Sequence, residues 1–410
     1  MTKSKSTTAT TSLMPIADAL ARILRAMSAL PNETVSLANA SGRVLAEDVL
    51  AGRTQPPFDA SAMDGFAVRA TDVQSVPTTL RLIGESAAGD RFTGQIAEGE
   101  AVRIFTGAPL PEGADSIVIQ EDTEFTDTSV EIYKPANESR FVRKAGLDFR
   151  EGEQVLAAGT RLGSSAIALA AAANIPWLTV RRRPRVGLLA TGDELVYPGQ
   201  APGPDQIIAS NALGLSVMIR DLGGVPVDLG IARDTEESLN AHIDKAEGLD
   251  LLITLGGASV GDHDLVGKVL AGRGMTLDFW KIAMRPGKPL MFGNLGGLPV
   301  IGLPGNPVSA LVCGLVFVAP AIRALLGSNH VETPLQTAIL GADLAANDQR
   351  QDYLRSRLET TTDGSLIAHP FSRQDSSMLS VLARSYGLVI RPPFAPPAKT
   401  GDRVSVLMFS

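Results

Sequence analysis

Acidic side chains stand in the loops where an open parallel sheet would gather them: Asp193 and Glu194 in TGDEL, Asp234 in ARD, and Asp262 and Asp264 in LGGASVGDHD. Carboxylates sharing one edge repel each other unless a cation sits among them or a pocket tolerates their protonation. The four histidines are scattered and Cys313 is the single cysteine, so no zinc-type ligand set exists. Oxygen ligands instead imply a hard cation such as magnesium. Each acid also has a plainer use, since Asp234 suits a helix N-cap and Asp264 could cap the helix after it.

The same loops hold groups suited to an anion. GGASVG offers the backbone of Gly256 and Gly257 and the hydroxyl of Ser259 beside a helix start, although the lysine of a phosphate-binding P-loop is absent. MRPGKP presents Arg285 and Lys288 as cations stiffened by prolines, or simply as exposed bases in a turn. In LPGNPVS, Pro304 and Pro307 fix the backbone around Asn306, with Ser309 in the first helical turn. Such rigidity suits a wall for a flat ligand, although turn chemistry alone would also explain it. Far upstream, PPFDASAMDGFAV sets Asp59 and Asp64 into another stiff segment, with Asp64 read as bonding the turn at Gly65.

Positioning these loops requires a chain of several units, as 410 residues exceed one ordinary core. Pro15 opens an amphipathic helix carrying Ile16, Leu20, Ile23, Leu24 and Met27. Residues 71–145 read as β, with TTLRLIG, EAVRIF, DSIVIQE and SVEIYK separated by turn clusters. SSAIALAAAANI reads as a Ser-capped helix, and RRRP at 181–184 as a boundary whose arginines edge a strand. From 185 to about 327, strand and helix alternate, which predicts a doubly wound parallel α/β unit. In it, Asp234 and Glu237 take N-cap and N3 spacing. From about 331, LQTAIL, YLRSRLE, SLIAHP, GLVIRP and VSVLMF predict a small β-barrel or sandwich.

Composition excludes several functions. A net charge of −7 argues against a nucleic-acid partner. Cys313 lies in the apolar run ALVCGLVFVAPAI and reads as a small core residue. That run contains Pro320, ends at Arg323 and is short for a bilayer span, so no membrane partner is expected. No apolar stretch follows the lysines of MTKSKSTTATTS, and the lone cysteine fits a reducing compartment, so the expected location is the cytoplasm.

Taken together, PPFDASAMDGFAV, IFTGAPLPEGAD, RKAGLDFREGE, LLATGDEL, GGASVGDHD, MRPGKP and GLPGNPVSA resemble, in order and over nearly the whole chain, the molybdopterin molybdenumtransferase family, the bacterial MoeA proteins and the E domain of gephyrin. The resemblance implies an elongated N-terminal domain (1–50 and 146–182), an inserted β domain (51–145), a molybdopterin-binding α/β domain (183–328) and a C-terminal β-barrel (329–410). It implies molybdenum insertion into adenylylated molybdopterin, with molybdate as the other substrate and magnesium-dependent release of AMP. Asp59, Thr106, Asp148, Glu194, Asp234 and Asp264 match the family's active-site positions, with Asp59, Asp234 and Asp264 as the candidate metal ligands. Pro304 and Pro307 match its motif prolines. Gly256, Gly257, Ser259, Arg285, Lys288 and Ser309 are the further candidates for holding cofactor or oxyanion. A homodimer is implied, with one subunit's N-terminal part completing the other's site; the adenylyltransferase and molybdenum enzymes are implied as transient partners. Leu147 stands where the family usually has an acid, and Leu255 where a small hydroxyl residue is common. The alternatives are an adenylyltransferase-like enzyme, which would need only the α/β part, and a non-catalytic cofactor-binding scaffold.

Overall fold

The computed structural model describes residues 13–257 and 265–409. Its centre is a six-stranded sheet ordered Val225–Ala232, Arg185–Thr191, Leu251–Leu255, Leu298–Leu303, Met291–Leu295, Met275–Trp280. Val186, Leu188 and Ala190 face a core shared with the helices Asn211–Asp221 and Pro307–Cys313. Leu189 faces the opposite core, shared with Glu236–Ile243 and Leu265–Gly272. Helices on both faces explain why the central strands are mostly apolar and buried.

One strand departs from the all-parallel expectation, because Met291–Leu295 runs against both its neighbours. Only Gly296 and Gly297, at φ +59° and +99°, separate it from Leu298–Leu303. A connection that short can form only a hairpin, whereas a parallel partner needs a crossover of about a dozen residues or more.

The helix Pro307–Leu325 is long and apolar enough to cross a membrane, but 78% of it is buried within the protein. Cys313, Phe317 and Ile322 are completely buried there, so its hydrophobicity belongs to the central core. Its middle turn, Gly314–Val318, is a π-helix just ahead of Pro320. A wider turn accommodates the carbonyl that proline cannot bond.

Around this centre lie three β assemblies. Six strands between Gly65 and Ile132 form one sheet, with Phe66, Val68, Leu80 and Val130 in its core. In the C-terminal part, Gln351–Thr360 pairs with both Leu366–Pro370 and Gly387–Arg391, closing five strands into a barrel. The N-terminal arm pairs Asn32–Ser36 with Trp177–Arg181 and Val49–Leu50 with Gln154–Leu156. The opening helix Ile16–Arg25 instead buries Ala19 and Ile23 in the central core.

Two caps differ from expectation. Gly163, not a serine, is the N-cap of Ser164–Ala172. Thr235 caps Glu236–Ile243, accepting the Ser238 N–H at 3.2 Å in place of Asp234. The arginines of RRRP are structural. Arg181 donates to Asn32 Oδ1, Arg182 to both oxygens of Asp250, and Arg183 to the Gly223 carbonyl.

Candidate active site

The C-terminal ends of Arg185–Thr191, Leu251–Leu255 and Leu298–Leu303 open onto a cavity of about 560 Å³. This is where an open α/β sheet holds its ligands. Glu194, Asp234, Gly256, Gly257, Pro304 and Pro307 all line it. Since Thr235 performs the capping, the Asp234 side chain is not spent on the helix; its own N–H donates to Asp193 Oδ1 at 3.3 Å. Asp193 faces outward towards Arg233, 3.9 Å away.

The glycine turn is required by space as well as by φ. A Cβ on Gly256 would lie 2.8 Å from the Thr191 carbonyl oxygen, and one on Gly257 would lie 2.2 Å from Val266 Cγ2. Both residues hold positive φ, +97° and +64°. Opposite them, Asn211 Nδ2 donates to the Gly305 carbonyl at 2.7 Å, bracing the proline wall against the next helix. Pro304 is buried and Pro307 is the first residue of its helix, so neither end of that wall is free to turn.

A second group forms around PPFDASAMDG. Asp59 Oδ1 accepts the Ala145 N–H at 2.9 Å, and Oδ2 accepts from Lys144 Nζ at 2.9 Å. The Ala145 bond, with Lys144 adding to it, holds the Asp59 carboxyl below its ordinary value. Asp64 Oδ1 accepts both the N–H of Thr106, at 2.7 Å, and its hydroxyl, at 2.8 Å. Those two bonds, the N–H foremost, likewise lower the Asp64 carboxyl. The Asp148 N–H donates to the Gln55 carbonyl at 3.0 Å, so GLDF lies against the start of the same loop.

Other candidates lie elsewhere. The Arg285 guanidinium is taken by Asp352, Asp348 and Asn347 of the barrel side and is not part of the cavity wall. Ser309 is buried within its helix, away from the lining. Lys288 is exposed and makes no ion pair among the described residues, while its neighbour Pro289 lines the cavity. Ser259, Asp262 and Asp264 fall outside the described residues. Among the described residues, no three of the His, Cys, Asp and Glu side chains stand close enough to share a metal. The Asp59 oxygens face Lys144 and Ala145 rather than another carboxylate. Glu194 and Asp234 do fit magnesium, which takes one or two carboxylates and completes its shell with water and substrate phosphate.

Among the described residues, no hydrogen bond or ion pair joins the Asp59 group to the sheet-edge cavity. The sequence does not mark Lys144, Ser210 or Asn211 as site residues, yet Ser210 and Asn211 line the cavity.

Comparison with known proteins agrees with this arrangement. Residues 14–174 match the MoeA N-terminal region (domain I and II), 187–324 a probable molybdopterin binding domain, and 337–409 the MoeA C-terminal region (domain IV). A molybdopterin molybdenumtransferase of Nostoc sp. is 37% identical over 92% of this chain and 88% of its own. The chain belongs to the molybdopterin molybdenumtransferase family. The Haemophilus influenzae member is 35% identical over 92% of this chain and 94% of its own. The crystal structure of a molybdopterin biosynthesis moeA protein from Pyrococcus horikoshii OT3 superposes with a TM-score of 0.85 at 27% identity, covering 97% of this chain and 100% of that one. Of the two departures from the family pattern, Leu147 is 66% exposed beside the Asp59 group, and Leu255 is buried in its strand.

Proposed function

We infer that this protein is an enzyme of molybdenum cofactor biosynthesis that inserts molybdenum, supplied as molybdate, into adenylylated molybdopterin and releases AMP. The observation that carries the reading is the cavity at the sheet edge, where Glu194 and Asp234 face a glycine turn and a proline-fixed wall. Backbone N–H groups of the turn suit phosphate or oxyanion oxygens, and the wall suits a flat pterin. Glu194 and Asp234 would hold magnesium, which supplies charge neutralisation at the phosphoanhydride being cleaved. Thr106 is held by Asp64 with its hydroxyl oxygen still able to accept, so it can orient a water or a substrate hydroxyl. Lys288 makes no ion pair among the described residues and precedes the wall residue Pro289, and is the candidate for attracting molybdate.

The working unit in this reading is a homodimer in the cytoplasm. An apolar groove of about 780 Å³ runs between the helix Asn211–Asp221, the end of the long core helix and the barrel. Val217 on its wall and Leu213 on the same helix are 55% and 58% exposed. A second copy would cover this face and bring its Asp59 group to the cavity, since one chain alone does not join them.

The test is AMP release from adenylylated molybdopterin with magnesium, with and without molybdate. Molybdate-dependent release that Asp234→Asn abolishes in a folded dimer supports the reading. Pyrophosphate release from ATP and molybdopterin would mark an adenylyltransferase instead. Mixing Asp59→Ala with Asp234→Ala subunits tests the shared site. Random reassociation lifts the activity of the mixture above the mean of the two homodimers if each site draws on both chains, and leaves it at that mean if it does not.

A further inference from the structure

Asp59 is one of the acids that the sequence singles out, and each of its carboxylate oxygens already accepts a hydrogen bond, from the Ala145 N–H and the Lys144 ammonium. The backbone on either side is pinned as well. The Asp59 carbonyl accepts the Leu110 N–H at 2.8 Å, and Ala60–Ser61 pairs with Val142–Arg143. The turn carrying Lys144 is closed by Leu147 N–H to the Lys144 carbonyl, 3.1 Å, and anchored by Gly146 N–H to the Pro56 carbonyl, 2.9 Å. Asp59 is thus a fastener between two loops. The group that reaches outward is Lys144, whose side chain is 57% exposed against 35% for Asp59.

We propose that Lys144 contacts a phosphate oxygen of the adenylylated pterin, and that Asp59 is the positioning residue that aims it, not a ligand of the metal. An ammonium has three donors, and Lys144 spends one on Asp59, leaving two for an incoming anion. A lysine stem is otherwise free to rotate, and tethering its head removes that freedom before substrate arrives. A divalent cation on Asp59 would sit beside the ammonium already bound there, where like charges oppose each other. Of the neighbouring cations, Arg91 lies 5.5 Å over the Phe58 ring, while Arg143 pairs through its backbone with Ala60.

This inference rests on the substrate class and the shared dimeric site proposed above, so its test separates binding from turnover. Affinity for adenylylated molybdopterin is read by pterin fluorescence with magnesium chelated, and magnesium half-saturation is read from AMP release. Lys144→Ala weakens binding by roughly 10- to 100-fold, the value of a charge-assisted hydrogen bond, with magnesium half-saturation unmoved. Lys144→Arg recovers part of the affinity, which a merely misfolded variant would not. Asp59→Asn weakens binding less, and adds nothing in the Lys144→Ala background. The proposal is overturned if Lys144→Ala binds like wild type, or if Asp59→Asn raises magnesium half-saturation while leaving chelated binding intact. Tight binding without any AMP release by wild type would sink the catalytic reading, while the binding measurements still decide the role of Lys144.

Discussion

Asp250→Ala should loosen the joint between the N-terminal arm and the central sheet. Arg182 follows the arm strand Trp177–Arg181, and Asp250 precedes the central strand Leu251–Leu255. The guanidinium donates to Oδ2 at 3.0 Å and to Oδ1 at 2.7 Å, and the Arg185 N–H donates to Oδ2 at 2.7 Å. The Asp250 side chain is 12% exposed and that of Arg182 37%. Breaking a fully buried pair costs about 3–5 kcal/mol, whereas an exposed one contributes less than about 1. A bidentate pair with one partner a third exposed falls between, so the loss should be about 2 kcal/mol. Urea unfolding followed by circular dichroism gives this directly, as a lower midpoint at unchanged slope. Arg182 stays charged in the variant, so the loss should persist from pH 6 to 8. A change below about 0.5 kcal/mol would mean that apolar packing alone holds the joint and that the pair is only a screened surface contact.

Asp64→Ala removes the acceptor that fixes Thr106, so AMP release should slow by roughly tenfold while substrate affinity changes little; equal loss in both would place Asp64 in binding. The carboxyls of Asp343 and Asp348 are held down to about 2, the first chiefly by Lys399 and the second by Arg350. Their contribution to barrel stability is therefore complete above their ordinary value of 3.8 and disappears as pH falls towards 2. Thermal melts across that window should show a decline that Asp343→Asn and Asp348→Asn together flatten. Burial pushes the Cys313 thiol up, out of its reactive range. A thiol reagent should label it only under denaturing conditions, and fast labelling of native protein would contradict the packing described.

Much of the fold was legible because burial leaves a period in the sequence. Residues 186–190 and 251–253 are apolar since helices cover both faces of their sheet, and the barrel strands announce themselves between polar turns. The cavity was also legible, because Glu194, Asp234, Gly256 and Pro304 all lie just beyond sheet strands, where topology dictates one edge. Local ambiguity limited the finer reading. Asp234 and Thr235 are adjacent and equally able to cap a helix, and only the backbone geometry assigns the cap to Thr235.

The sequence by itself determined which residue types meet at the sheet edge, since strand order and period leave them no other place. It could not determine the partners of Asp59, Asp64 or Arg285. Lys144 is 85 positions from Asp59, Thr106 is 42 from Asp64, and Asp352 is 67 from Arg285. A carboxylate carries no mark of whether it will meet a metal, an ammonium or a backbone N–H. That choice depends on which distant turn the folded chain brings within 3 Å, a distance that only tertiary packing sets.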